Sequence, residues 1–153
     1  MLASSIMQKP VVISANAQGK DALDLAFETG HRMLPVLDDA QHVVGMFSSF
    51  AVLGYLVPDY IVSGHLADVS YAPDFGLLRK HYDELESKKV ADLMSPKPFI
   101  IKPEESILSA AAALLTSAGH DGVLVVDAAG VLLGIITPSD VLNSLRTEES
   151  LLA

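Results

Sequence analysis

The chain contains no cysteine and no tryptophan among its 153 residues. Without thiols there is no disulfide framework, no thiolate nucleophile and no cysteine-based zinc or iron–sulfur site, as befits a reducing compartment. Basic residues are scarce as well: ten Lys and Arg stand against nineteen Asp and Glu, for a formal net charge of −9. A duplex-binding surface needs clustered cations to displace counterions from phosphates, so nucleic acid is excluded as a partner. A small anion needs only one local cation or a helix N-terminus, and stays open. No apolar run approaches the roughly 20 residues that span a bilayer. The start, Met1-Leu2-Ala3-Ser4-Ser5, lacks the basic flank of a signal peptide. The expectation is a cytoplasmic protein with no membrane insertion.

Catalytic signatures are missing too. There is no Walker loop, no GxGxxG, and no nucleophile-elbow setting around Ser4-Ser5 or Ser48-Ser49. His31, His42, His65, His81 and His120 show neither HExxH nor i, i+4 pairing, so no metal site is expected. Without an activated nucleophile, a carboxylate pair or a metal, the chain reads as a non-enzyme.

What the chain has is apolar residues, half of the total, and a duplication. Gly30-His31-Arg32-Met33-Leu34-Pro35-Val36-Leu37-Asp38 aligns without a gap on Gly119-His120-Asp121-Gly122-Val123-Leu124-Val125-Val126-Asp127. The register continues through Gly45-Met46-Phe47-Ser48 against Gly134-Ile135-Ile136-Thr137 and ends at Val52-Leu53 against Val141-Leu142. Upstream, Ile6-Met7 answers Leu93-Met94. Each copy reads as a short strand (11–13; 99–101) and then a helix. The helix carries Ala22, Leu23, Leu25 and Ala26 in copy one, and Ile107, Ala110, Ala111, Leu114, Leu115 and Ala118 in copy two. Gly30 and Gly119 stand where helix C-terminal glycines stand. Two strands around a turn follow (34–37 and 43–47; 123–126 and 131–136), Asp127-Ala128-Ala129-Gly130 having hairpin chemistry, and a second helix closes the copy.

The fold class is therefore α/β, two β-α-β-β-α units. A unit of this size buries too little surface to stand alone, so the two are expected to pack sheet to sheet about a pseudo-twofold axis. Copy one is placed at 1–56 and copy two at 88–147. The insert at 57–87 is punctuated by Pro58 and Pro73. In it Phe75, Leu78, Tyr82 and Leu85 recur at helical spacing amid Arg79, Lys80, Asp83, Glu84 and Glu86. That helix is either a connector packed on the pair or a docking face. The run Leu53-Gly54-Tyr55-Leu56-Val57 reads as the buried end of a helix rather than a membrane contact.

Gly134-Ile135-Ile136-Thr137-Pro138-Ser139-Asp140 is the most diagnostic segment: a strand runs into a threonine, and an acid follows three positions later at a helix start. Thr137, Pro138 and Asp140 also fit N-cap, N1 and N3 of a capping arrangement. Copy one keeps a cap residue in Ser48 but has Ala51 where Asp140 stands. The acid in copy two is thus free to serve something else.

With the duplication and strand order, this motif resembles the CBS domain family, and the pair resembles a Bateman module. The resemblance covers nearly all the chain outside the insert. It implies a regulatory pair that holds AMP, ADP, ATP or S-adenosylmethionine between its domains, Thr137 and Asp140 taking ribose or phosphate. Pro138 and Ser139 would present the helix N-terminus, and Ile100, Ile101 and Ile136 would flank adenine. Gly122 would permit close backbone approach. Arg32 lies near the family's phosphate-binding basic position in copy one, whereas copy two has Asp121. A long polyphosphate in the second site would then need Lys97 or Lys102. No cofactor is required. The resemblance further implies a homodimer, often a flat disc, formed through exposed apolar helix faces. It also implies a separate effector such as a transporter or an enzyme, no effector domain being attached. The competing expectation is a ligand-free dimerisation or scaffold module.

Overall fold

The structure, a computed structural model, describes residues 1–63, 74–116 and 122–152. His65, Pro73, Ala118, Gly119, His120 and Asp121 lie outside the described residues. A single turn, α1 (Ala3–Ile6), opens the chain, followed by β1 (Ile13–Ser14), α2 (Gly19–Thr29), β2 (Met33–Leu37), β3 (Val43–Ser48), α3 (Ser49–Leu56) and a short α4 (Asp59–Val62). The insert contributes α5 (Asp74–Glu86). Copy two adds α6 (Val90–Leu93), β4 (Ile100–Ile101), α7 (Ile107–Thr116), β5 (Val123–Val126), β6 (Leu132–Ile136) and α8 (Pro138–Leu152).

Two three-stranded sheets result, ordered β1-β2-β3 and β4-β5-β6. In each, the first strand pairs parallel with the second and the second antiparallel with the third. The duplication reaches down to an irregularity: the register shifts at Val36/Leu37 and at the matching Val125/Val126. The opening strands are two residues long and begin later than the apolar runs at 11–13 and 99–101 imply. Gly30 ends α2 in the left-handed region at φ 73°, where a residue without Cβ is unstrained.

Strand alternation divides the interior into three apolar clusters. Leu34, Val36 and Phe47 face their own helices with Ala22, Leu23 and Val52. Val123, Val125 and Ile136 do the same with Ile101, Ala110, Ala113 and Val141. Between the sheets lie Met46, Leu124, Val126 and Ile135, with Met33, Val43 and Leu132 against them. All four β5 residues are buried because both faces of that strand are covered.

The copies also exchange segments. Ala3 and Ile6 of α1 complete the copy-two cluster, while Leu85, Val90 and Leu93 complete that of copy one. Matching hydrogen bonds fix the exchange: Ala3 N donates to Glu105 O at 2.7 Å, and Val90 N to Ala17 O at 2.8 Å. Gln8 bridges to Ile135, and Ser95 bridges to Met46. Met7 lies over Gly134 and Met94 over Gly45, approaches that only glycine permits. The amphipathic insert helix expected from its spacing is α5. Its Leu85 is wholly buried on copy one. The run 53–57 ends α3, but Leu53 is 56% exposed rather than buried, because α5 covers the side of α3 bearing Tyr55 and Leu56. Among the described residues no helix is long and apolar enough to cross a membrane.

Candidate functional site: a cleft between the two copies

β6 delivers Thr137 to the start of α8, and the residues beyond it close a capping box. Asp140 Oδ2 accepts from Thr137 N at 2.8 Å and from Thr137 Oγ1 at 3.0 Å, and Asp140 N donates back to Thr137 Oγ1 at 3.4 Å. The cap is thus real, yet it occupies one carboxylate oxygen; no hydrogen bond among the described residues engages Oδ1. In copy one Ser48 Oγ accepts from Ala51 N at 3.1 Å, and α3 starts without an acid.

Thr137, Pro138, Ser139 and Asp140 form one wall of a cleft of about 440 Å³, within the range of small-molecule sites. The opposite wall comes from copy one: Gly30, His31, Arg32 and Met33, on the connection between α2 and β2. Gln8 and Ile135 lie between, joined by Gln8 N to Ile135 O at 2.8 Å and Ile135 N to Gln8 O at 2.9 Å. The Arg32 carbonyl accepts from Ser49 N at 3.1 Å, so the start of α3 positions that residue. Arg32 is exposed and makes no ion pair among the described residues. One guanidinium and one carboxylate therefore face a shared space from opposite copies.

Half of the expected site residues meet there. Thr137, Pro138, Ser139, Asp140 and Arg32 do, so Arg32 of copy one lines the same cleft as the copy-two motif. Ile136 and Ile101, at 0% and 5% exposure, point into the copy-two core because alternation turns them toward α7 and α1. Ile100 is 46% exposed on β4, and Lys97 is exposed; neither lines the cleft. Gly122 is buried, and a Cβ there would lie 2.6 Å from Met33 Cε and 3.3 Å from Ile135 Cδ1. Its missing side chain admits the other copy, not a ligand. Gln8, His31, Met33 and Ile135 escaped the sequence reading. The matched pairs Met7/Met94 and His31/His120 held a signal for them, but only the crossing of segments between copies turns it into a site. No group of three or more His, Asp or Glu suited to a metal occurs among the described residues.

Two β-α-β-β-α units packed through their sheets, with a cleft between them walled by both, define a tandem-repeat α/β pair. The family model for the CBS domain matches residues 3–58 and 90–147, and the chain belongs to that family. It is 32% identical over 140 residues to the chloroplastic CBS domain-containing protein CBSX2 of Arabidopsis thaliana, and 29% identical to CBSX1 of the same plant. Those matches cover 87% of this chain but 57% and 58% of the plant proteins, so the chain spans just over half their length. The solved structure of CBSX2 in complex with AMP superposes with a TM-score of 0.72 at 28% identity, covering 97% of this chain and 98% of that one. A CBS domain-containing protein of Kribbella flavida shares the fold, with a TM-score of 0.71 at 20% identity, over 95% and 98% of the two chains.

Proposed function

We propose that the cleft binds AMP and that the chain is a non-catalytic sensor of adenine nucleotide. The observation that carries this reading is the meeting of Arg32 from copy one with Thr137 and Asp140 from copy two in one space. An ionised carboxylate is an acceptor-only group, suited to the two hydroxyls of a ribose. The uncommitted Oδ1 of Asp140 is available for that role. Arg32 and the N-terminus of α8 at Ser139 suit one phosphate, by charge and by backbone N–H donation. Met33 and Ile135 offer apolar surface to adenine in place of the isoleucines that the core claims. A single cation favours a monophosphate over ATP. The AMP-bound CBSX2 supports the ligand class.

Because the walls belong to different copies, a bound nucleotide favours one relative arrangement of the pair, by as much as its affinity differs between arrangements. Exposed Phe50, Leu53 and Leu142 on the outer helices suit pairing of two chains. A separate enzyme or transporter would read the change.

The test is thermal unfolding with AMP, ADP, ATP, adenosine, S-adenosylmethionine and GMP, followed by calorimetric titration. A ligand at about 100 times its Kd adds about 2.7 kcal/mol to the folded state. For a chain of this length that is a shift of several degrees. AMP is expected to give the largest shift, and Asp140→Ala to weaken it by roughly ten- to a hundredfold. No shift with any adenine compound would transfer the weight to a ligand-free assembly module.

A further inference from the structure

The cleft holds more polar side chains than ribose and phosphate occupy. Thr137 and Asp140 are matched to ribose, and Arg32 with the start of α8 at Ser139 to phosphate; Gln8 and His31 remain. Gln8 is exposed, and no hydrogen bond among the described residues engages its carboxamide. Its main chain, by contrast, is already occupied: Gln8 N donates to Ile135 O at 2.8 Å, and Gln8 O accepts from Ile135 N at 2.9 Å.

That pairing fixes the direction of the side chain. Residues directly opposite in an antiparallel bridge project to the same face, so the Gln8 side chain stands beside that of Ile135. Ile135 belongs to the apolar cluster between the sheets and, with Met33, lines the cleft. A purine laid on Met33 and Ile135 therefore presents an edge to Gln8. The duplication adds an independent observation. The counterpart of the Gln8–Ile135 bridge is the Ser95–Met46 bridge, and the counterpart of Asp140 is Ala51. The carboxamide and the carboxylate thus occur together, and the copy whose helix start lacks the acid also lacks the amide beside its third strand.

We infer that Gln8 is the specificity-determining residue for the base and selects a 6-aminopurine: its Oε1 accepts from the amino group, and its Nε2 donates to the adjacent ring nitrogen. The inference rests on the nucleotide reading of the cleft. Adenine carries a donor and an acceptor side by side, and a carboxamide carries the complementary pair on neighbouring atoms. A neutral imidazole has its donor and its acceptor pointing away from each other, so His31 can meet only one of the two groups. The main-chain groups of Gln8 do not substitute, because Ile135 already holds both.

Calorimetric titration of the full chain compares AMP with purine riboside 5′-monophosphate, which has the same sugar, phosphate and ring but no amino group. Wild type is expected to bind AMP about tenfold more tightly, the effect of one or two neutral hydrogen bonds. In Gln8→Ala and Gln8→Met, the second keeping chain length without the amide, that preference should shrink to about twofold or less. The unfolding midpoint without ligand should stay at the wild-type value in both. A preference for AMP that survives in both variants, or a wild type that binds the two ligands equally, would overturn the inference. Asp140→Ala separates it from the reading beneath it: that variant should weaken both ligands alike and leave the preference intact. If Asp140→Ala weakens both while the Gln8 variants change nothing, the cleft binds nucleotide and Gln8 does not read the base. A wild type that binds neither ligand would overturn both.

Discussion

Copy one and copy two share strand order, a register shift at the same place and the same glycine beneath a methionine, yet they divide the work. Copy two carries the acid at position 140 that copy one lacks at Ala51, and it contributes the helix-start wall of the cleft. Copy one contributes the basic wall through Arg32, and its outer helix face is sealed by α5. Divergence has fallen on the surfaces that a duplicated fold leaves free, while the strands that both sheets bury have kept their pattern. The pair thus encloses a single cleft between unlike halves, and each difference between the halves can be probed separately.

The largest difference is the insert helix. Leu85 is 0% exposed on copy one, whereas Leu145 on α8 of copy two, the counterpart of Leu56 at the α5 contact, is 58% exposed. Leu85→Ala should cost about 2–5 kcal/mol, the range for deleting a buried leucine into a partly collapsing cavity. Leu145→Ala should change stability by no more than about 0.5 kcal/mol. Denaturant midpoints of the two variants measure the contrast. Equal losses would mean that α5 is not what distinguishes the two faces.

The methionine–glycine contacts come next. At Gly134 an added Cβ would meet Met7 Cγ and Sδ, which can swing aside, and Met7 Cβ at 2.8 Å, which moves only with the α1 segment. At Gly45 an added Cβ would meet the Met94 side chain and also the Ser95 carbonyl oxygen at 2.7 Å. That oxygen is fixed by its bond from Met46 N at 2.9 Å, so it cannot move aside without breaking the bridge. Gly45→Ala is therefore expected to cost about 2–3 kcal/mol, in the upper part of the overpacking range, and Gly134→Ala somewhat less, about 1–2 kcal/mol. Thermal unfolding of both variants checks the order. A larger loss at Gly134 would show that the α1 segment, not α6, is the more tightly held of the exchanged pieces.

How far this was legible in the sequence depends on whether a feature is local. The strand order, the glycine ending α2, the hairpin at Asp127 and the amphipathic α5 all follow from spacing within a dozen residues, and all are present. The cap formed by Thr137 and Asp140 was legible for the same reason. What the sequence could not reveal is which copy a segment serves. Ile6-Met7 and Leu93-Met94 match each other perfectly well whether each stays at home or crosses, and it is packing between sheets that sends them across. The same blindness hid that Arg32 lines one cleft with Thr137 and Asp140, and it left Gln8 unnoticed. Ile136 and Ile101 lie in the copy-two core and do not line the cleft; their neighbours Ile135 and Ile100 are apolar as well, so alternation alone could not say which face looks toward the cleft.

The smallest difference lies in the two hairpin turns, and it is the cleanest. Asp38 Oδ1 accepts from His42 N at 2.9 Å, just as Asp127 Oδ1 accepts from Val131 N at 2.9 Å. The residue before the accepting bond ends is Gly130 at φ 84° in copy two but Gln41 at φ 65° in copy one. A side chain in the left-handed region costs roughly 1–2 kcal/mol, while the freedom that a glycine adds to the unfolded chain opposes the gain by about 0.4–1 kcal/mol. Gln41→Gly should therefore stabilise by about 0.5 kcal/mol, read as a rise of one or two degrees in the unfolding midpoint. Gly130→Ala meets both the strained φ and His42 Cδ2 at 3.4 Å, and should destabilise by about 1 kcal/mol. The signs matter more than the sizes. A fall in stability on Gln41→Gly would mean that the glutamine side chain does something for the turn that backbone geometry does not show, and the two hairpins would then differ in function as well as in strain.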